Sequence, residues 1–214
     1  FNEDDSVQLT KRKVLEGNVL QPLMPEEALH IRGRHNTMNA LAALALIHAA
    51  GLPISDALRA LAQYRGEPHR VEYVMTVNSV DYIDDSKGTN VGATVAALEG
   101  LGANGTRLVV ILGGDGKGQD FSPIAQSMAR HARAAVLIGR DAPLIEKALA
   151  GSAYPIEHAK DMPEAVRKAS HLAQPHDCVL LSPACASWDM FKDYAERSAI
   201  FIASARALAA ETQQ

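Results

Sequence analysis

From residue 67 onward, short apolar runs alternate with longer stretches of helical composition. The runs LVVIL at 108–112 and CVLL at 178–181 contain no polar residue, which is typical of strands buried on both faces. Strands that alternate with helices predict an α/β fold with a mostly parallel sheet and helices on both sides. The predicted strands are residues 71–77, 80–84, 108–112, 135–138, 154–157 and 178–181. The predicted helices are residues 91–101, 124–133, 143–150, 162–173 and about 188–210.

The first 66 residues contain much less material for a sheet. Residues 1–34 are mixed and polar, with short β-like patches at 7–9 and 28–31 that suggest the edge of a sheet. Two helices are predicted next, at residues 36–50 and 53–64. A segment of this size with so few strands is marginal alone, because small chains bury too little apolar surface. We therefore interpret 1–66 as part of a domain and 67–214 as a complete α/β domain.

Local signals mark the ends of these helices and the domain boundary. Gly51 follows the first helix as a C-terminal glycine, and Ser55 is the predicted N-cap of the second. The sequence RGEP at 65–68 has the Gly and Pro punctuation of a boundary. The chain begins with Phe1 rather than Met, so we expect a processed protein or a piece of a longer one.

Composition narrows the class of protein. The 214 residues are 47% hydrophobic and 21% charged, which is ordinary for a globular protein and excludes a coiled coil or a disordered tail. A net charge of −4 disfavours a nucleic-acid binder. The longest apolar runs, such as 40–50, are shorter than the roughly 18 residues of a membrane span, and no secretory signal opens the chain. Cys178 and Cys185 form no CxxC motif, so reduced thiols in the cytoplasm are expected.

Polar loops follow three of the predicted strands. Ligands of parallel α/β sheets bind outside the carboxyl ends of the strands, so these loops are the predicted site. They contribute two lysines, three acids and several hydroxyls, which suit a small anionic ligand that carries a carboxylate. The loops are DDSKGTN at 84–90, GGDGKG at 113–118 and SPACASW at 182–188.

Each loop also has a purely structural interpretation. The first could be a turn in which Thr89 or Asn90 caps the next helix. The second could be a flexible turn, and it lacks the GxxxxGK[ST] spacing of a phosphate loop. In the third, Cys185 could be a nucleophile, but no histidine partner is evident and a small packed cysteine is favoured. The eight histidines show no HxxxH or HExxH spacing, so no metal site is predicted within the chain.

Several segments, taken together, resemble one family. GRHNTMNALAALAL at 33–46 is similar to the segment that closes the central domain of the Mur ligases, and EPHRVEYV at 67–74 to their interdomain hinge. The segments at 82–98, 111–123 and 180–201 resemble the D-glutamate-adding branch in particular. Asp84 and Gly88 depart from a motif that more often reads NDSKATN, and Ser198-Ala199 from an RG pair; Trp188 and Tyr194 stand at variable positions.

The resemblance implies a Rossmann-like, mostly parallel six-stranded sheet at 67–214, the D-glutamate-binding C-terminal domain of these ligases. Residues 1–66 would be a remnant of the central, ATP-binding domain. The implied reaction adds D-glutamate to UDP-MurNAc-L-Ala through an acyl phosphate, in cytoplasmic peptidoglycan precursor synthesis, with ATP and Mg²⁺. The family's phosphate loop and magnesium ligands are not found in the 214 residues, so we expect the chain alone to be inactive.

Roles for individual residues follow from the same resemblance. Lys87 would face the acyl-phosphate region as the catalytic residue. ATP would be bound by Asn39, Arg70 and Asp85. D-glutamate would be held by Thr89, Lys117, Ser187, Trp188 through its backbone, and Tyr194. The protein is expected to be a monomer that binds small molecules but neither nucleic acid nor a membrane. Two alternatives remain: a non-catalytic binding module of this fold, or a sister ligase for another amino acid, such as a folylpolyglutamate ligase.

Overall fold

The structure, a computed structural model, describes residues 9–11, 21–31 and 34–212. The chain divides into two compact units, Phe1–Gly66 and Glu67–Gln214. Each unit is described by itself below.

The first unit contains a small antiparallel sheet and two helices. Strand β1 (Leu9–Lys11) pairs with β2 (Gln21–Met24), and a 3-10 turn at Glu26–Ala28 follows. Helix α1 spans Arg34–Ala49 and α2 spans Ile54–Gln63. A small apolar cluster stabilises this unit, with members Met24, Leu29, Ile31, Ala40, Leu41 and Leu61.

Two predictions for this unit are wrong. The patch at 28–31 is not a strand, because Pro25 starts a 3-10 turn that the Leu29 N–H closes on the carbonyl of Glu26 at 2.9 Å. Ser55 is not the N-cap of α2, since that helix begins after Pro53, whose φ of −63° suits a helix start, and no side chain caps it. Of the patch at 7–9, residue 9 begins β1, and residues 7 and 8 lie outside the described residues.

The second unit is built on one sheet of six strands in the order β3-β4-β8-β5-β6-β7. Only β3 runs antiparallel to its neighbour β4 among these pairs, and the other pairs are parallel. This confirms the predicted α/β fold and mostly parallel sheet. The strands are β3 (Glu72–Val77), β4 (Val80–Asp84), β5 (Leu108–Gly113), β6 (Ala132–Ile138), β7 (Ile156–His158) and β8 (Cys178–Leu181). The helices are α3 (Val91–Gly102), α4 (Ser122–His131), α5 (Ala142–Ala148), α6 (Met162–Leu172) and α7 (Tyr194–Thr212).

Two predicted boundaries in this unit are wrong by several residues. Strand β6 begins at Ala132, where a helix was still predicted, because the chain leaves α4 after His131 and pairs with β5 from Leu108 onward. Helix α7 begins at Tyr194 rather than near 188. Its start is fixed by Asp193, whose carboxylate accepts the N–H of Glu196 at 2.8 Å.

The core lies on both faces of the sheet, and strand β5 shows why. Its side chains alternate, with Leu108, Val110 and Leu112 packed on one face and Val109 and Ile111 on the other, all fully buried. The first face is covered by helices α3, α4 and α5, and the second by α6 and α7. An apolar run without alternation is therefore required at this central position. Among the described residues, no helix is both long and apolar enough to cross a membrane.

Candidate functional site

Three loops leave the carboxyl ends of β4, β5 and β8, at one edge of the sheet. They are the β4 loop (residues 85–90), the β5 loop (114–121) and the β8 loop (182–193). Backbone hydrogen bonds join them: Ala184 donates its N–H to the carbonyl of Gly88 at 3.0 Å, and Asp115 and Ala186 exchange two bonds of 2.8 and 2.9 Å. The β8 loop is therefore tied to both of the others.

The glycine pair at the end of β5 allows this close approach. Gly113 has a φ of +122°, and a Cβ there would lie 1.9 Å from the carbonyl oxygen of Ile138 on β6. Gly114 has a φ of +128°, and its Cβ would lie 2.3 Å from the carbonyl oxygen of Ala186. No side chain fits at either position, so the GG of the GGDGKG segment is a requirement of loop packing.

Arg197 joins the β4 and β8 loops from the buried side. It is fully buried, and its guanidinium donates to the carbonyl of Ser86 at 2.7 Å, to the Ser86 hydroxyl at 3.0 Å and to the carbonyl of Cys185 at 3.0 Å. Burial lowers the pKa of Arg197 to about 10, so the side chain remains charged at neutral pH. Arg197 is not among the residues predicted to have a role. The available signal was its spacing from Phe201 and Ala205, which places a charge on the apolar face of α7.

Lys117 and Thr89 come together from the β5 and β4 loops. The Lys117 ammonium donates to the Thr89 carbonyl at 3.1 Å and is otherwise exposed. The Lys117 backbone has a φ of +53°, and its N–H donates to the Asp115 carboxylate at 2.9 Å. The same carboxylate accepts from Arg140 at 2.5 Å. Asp115 is therefore neutralised within the protein, while the positive charge of Lys117 faces solvent at the edge of the sheet.

Lys87 and Tyr194 form a second pair at this edge. The Lys87 ammonium lies 5.8 Å from the centroid of the Tyr194 ring, within cation–π range. Tyr194 also packs edge-on against the ring of His69, with 5.9 Å between centroids. Its carbonyl accepts the hydroxyl of Ser86 at 2.7 Å, which fixes the start of α7 against the β4 loop. Within the part of the chain that the structure describes, Lys87 is thus held above an aromatic ring rather than in an ion pair.

Asp85 is a buried carboxylic acid at the start of the β4 loop. Its carboxylate accepts the Ser182 hydroxyl at 2.7 Å and the Val71 N–H at 3.3 Å. Burial raises the pKa of Asp85 to about 6, and the positive charge of exposed Arg70 opposes the shift. An ionisable group perturbed in this way at a sheet edge is a candidate for ligand binding.

The remaining predicted site residues lie in different settings. Ser187 is buried at the beginning of a turn, where its carbonyl accepts the N–H groups of Met190 and Phe191. The Trp188 side chain is 73% exposed. Asn39 is exposed on α1 and belongs to the first unit.

A polar cluster behind the β4 loop combines His69, Asp84 and Ser198. Asp84 is fully buried, and its carboxylate contacts His69 Nδ1 at 2.9 Å and the Ser198 hydroxyl at 2.5 Å. The Ser198 hydroxyl also lies 2.8 Å from His69 Nδ1, and Glu72 accepts the His69 backbone N–H at 2.8 Å. The histidine and the two acids are metal-ligand types within 4.8 Å of one another. Contacts with His69 and Ser198 already satisfy the buried carboxylate of Asp84. Asp84 and Ser198 are also positions at which the sequence departs from the family motifs.

The two cysteines are buried and reduced. Burial raises the pKa of Cys185 to about 12, so its thiol is protonated and unreactive at neutral pH. The small packed cysteine favoured from sequence is consistent with this environment.

Comparisons with known proteins identify the family. Residues 69–185 match the family described as Mur ligase, glutamate ligase domain. A protein of Polaromonas sp. named UDP-N-acetylmuramoylalanine--D-glutamate ligase is 56% identical over 97% of this chain, and one of the same name from Burkholderia mallei is 58% identical over 90%. The chain spans 35% and 38% of the lengths of these relatives.

Solved structures agree at the level of the fold. The MurF ligase of Thermotoga maritima, in complex with ADP, superposes with a TM-score of 0.64 at 14% identity, over 91% of this chain and 42% of that one. The MurC ligase of the same organism superposes with a TM-score of 0.60 at 21% identity, over 84% and 39%. With more than half of the residues inside the family match, this chain belongs to the Mur ligases.

Proposed function

We propose that this chain is part of a UDP-N-acetylmuramoyl-L-alanine:D-glutamate ligase. Such an enzyme uses ATP to join D-glutamate to UDP-MurNAc-L-Ala during peptidoglycan precursor synthesis in the cytoplasm. The supporting observation is the convergence of three loops that present Lys117 beside Thr89 and Lys87 beside Tyr194. The names of relatives that are 56–58% identical support the same substrate.

The charges at this edge favour a dicarboxylate over a diamino acid. The three acids of the β4 and β5 loops all have partners: Asp115 contacts Arg140 and the Lys117 N–H, Asp85 accepts from Ser182 and the Val71 N–H, and Asp120 accepts from Ser122. Lys117 is left to bind an anion, and Lys87 adds a second positive charge. D-glutamate, with two carboxylates, matches this arrangement better than lysine or diaminopimelate does.

The proposed reaction proceeds in two steps. ATP first transfers its terminal phosphoryl group to the carboxylate of UDP-MurNAc-L-Ala, giving an acyl phosphate and ADP. The D-glutamate amine then attacks the acyl carbon, and the tetrahedral intermediate collapses to the amide and releases phosphate. In this scheme Lys117, Thr89, Ser187, the Trp188 backbone and Tyr194 hold D-glutamate so that its amine is aimed at the acyl carbon, which is mainly catalysis by positioning.

The nucleotide and the metal complete the scheme. Lys87 would lie near the acyl phosphate, and Asn39, Arg70 and Asp85 would bind ATP. Mg²⁺ would neutralise phosphate charge. We place its ligands in another part of the ligase, because the buried carboxylates of Asp84 and Asp85 already accept hydrogen bonds from Ser198 and Ser182. Under this proposal 67–214 is the D-glutamate-binding domain and 1–66 the remnant of the ATP-binding domain, in a monomer that acts on small molecules.

Substrate choice tests the proposal directly. The full-length protein should release phosphate from ATP in the presence of UDP-MurNAc-L-Ala and D-glutamate, but not with L-lysine or meso-diaminopimelate as the amino acid. Activity with either diamino acid would establish a sister ligase instead, and binding of D-glutamate without turnover would favour a non-catalytic module. The 214-residue chain alone should release no phosphate, because its sequence contains no phosphate loop.

A further inference from the structure

We propose that Gln119 is a positioning residue that holds the three loops in register around the D-glutamate site; this rests on the function proposed above. Gln119 lies in the β5 loop and is partly buried. Its side-chain amide donates to the carbonyls of Gly116 at 2.9 Å and Ala184 at 3.3 Å. Its carbonyl oxygen accepts the N–H of Val91 at 3.1 Å.

Each partner of this amide belongs to a different segment. Gly116 is in the β5 loop, Ala184 is in the β8 loop, and Val91 is the first residue of α3, directly after the β4 loop. The Val91 N–H is one of the helix-start donors that have no partner within the helix, and Gln119 supplies one. One side chain therefore links the β5 loop, which carries Lys117, to the β8 loop and to the first residue of α3, which directly follows the β4 loop.

The chemistry of an amide is required at this position. Two donors face carbonyls and one acceptor faces an N–H, so a flipped amide would oppose like groups on all three sides. A carboxylate of the same shape would keep the bond to Val91 but would place oxygen against the carbonyls of Gly116 and Ala184. A shorter or apolar side chain would lose all three contacts.

Gln119 also fixes the turn that presents Lys117. The turn has positive φ at Lys117 (+53°) and Gly118 (+71°), which is unfavourable for the lysine. The backbone N–H of Gln119 closes it on the Gly116 carbonyl at 3.0 Å, and the side chain donates to the same oxygen. Without the Gln119 side chain, the Lys117 backbone should leave this conformation in the free enzyme. Its ammonium group would then no longer be preorganised for the ligand.

The test is steady-state kinetics of the full-length ligase. Gln119→Ala and Gln119→Glu should raise the KM for D-glutamate by about 5–30-fold, the loss expected for one or two net hydrogen bonds, with the KM for ATP within about twofold of wild type. Gln126→Ala removes an exposed glutamine from α4 and is the matched control, expected to leave both constants unchanged.

A second variant separates positioning from a failure to fold. Val91→Pro removes the N–H that Gln119 accepts and replaces the partly buried valine side chain with a proline ring, at a helix position where proline is well tolerated and after Asn90, whose extended backbone suits a residue before proline. Like the Gln119 variants, Val91→Pro should raise the KM for D-glutamate. The proposal is overturned if wild type uses D-glutamate while the Gln119 variants keep the wild-type KM, or if the KM for ATP rises equally. A wild-type enzyme that does not use D-glutamate would instead refute the proposed function.

Discussion

Gly113→Ala is expected to lower the free energy of unfolding of the 67–214 unit by about 2–5 kcal/mol. The new Cβ would lie 1.9 Å from the carbonyl oxygen of Ile138, so the β5 or β6 backbone has to move. Overpacking of a core costs about 1–3 kcal/mol, and a positive φ in a residue with a Cβ costs about 1–2 kcal/mol more. The Gly113 N–H also donates to the carbonyl of Pro183 at 2.9 Å, so the movement would reach the β8 loop.

Gly105→Ala is the matched control for this prediction. Gly105 also has a positive φ, of +84°, but nothing lies within 4 Å of the position that a Cβ would occupy there. Gly105→Ala should therefore lower the free energy of unfolding only by the cost of a positive φ, about 1–2 kcal/mol. Native-state hydrogen exchange of the β5 amides in the 214-residue chain measures both variants. Equal losses at the two positions would show that packing at the sheet edge is looser than the structure has it.

Asp85→Asn is expected to stabilise the same unit at pH 8 by up to about 3 kcal/mol. Burial raises the pKa of Asp85 from 3.8 to about 6, and each pKa unit corresponds to about 1.4 kcal/mol. Because the folded-state pKa is raised, the stabilising contribution of the protonated acid is complete below pH 3.8 and is lost as the pH rises through about 6. Asparagine is neutral throughout, and its amide can donate to Ser182 while its oxygen accepts from Val71.

The pH dependence distinguishes this effect from a general change in packing. The gain of Asp85→Asn over wild type should be largest at pH 8 and shrink towards pH 4, as measured by hydrogen exchange of the β5 amides after correction for the intrinsic rate. Asp120→Asn is the control, since hydrogen bonds from Ser122 lower the pKa of that exposed carboxylate. A gain that is independent of pH, or that grows towards pH 4, would contradict the environment described for Asp85. Under the proposed function, Asp85→Asn should also weaken ATP binding. A buried charge that lowers the stability of the fold is expected to persist where it serves to bind a ligand.

The sheet could be predicted from sequence because its central strands carry an unambiguous signal. The run LVVIL at 108–112 has no polar side chain, and the structure buries both of its faces. The start of β6 could not be predicted, since Ala132, Arg133 and Ala134 have good helix propensity and become a strand only by pairing with β5. Arg133 is also held there by an ion pair with Asp177, which lies 44 residues further along the chain.

That the three loops meet at one edge of the sheet was predictable, but the contacts that join them were not. Loops at the carboxyl ends of parallel strands meet at one edge, which is why Thr89 and Lys117 could be expected to lie close together. The contact of Arg197 with Ser86 spans 111 residues, and that of Gln119 with Ala184 spans 65. No local sequence pattern indicates contacts between residues so far apart in the chain. Lys117, by contrast, could be singled out from the glycine-rich segment around it.

The central claim is that the β5 loop binds D-glutamate through Lys117, and Lys117→Ala in the full-length ligase tests it most directly. A charge-assisted hydrogen bond to a carboxylate contributes about 1.5–3 kcal/mol, so the KM for D-glutamate should rise about 10–150-fold. The KM for ATP should change little, and Lys147→Ala, which removes an exposed lysine from α5, should change neither constant. A rise in the KM for ATP alone would contradict the assignment of this loop to D-glutamate.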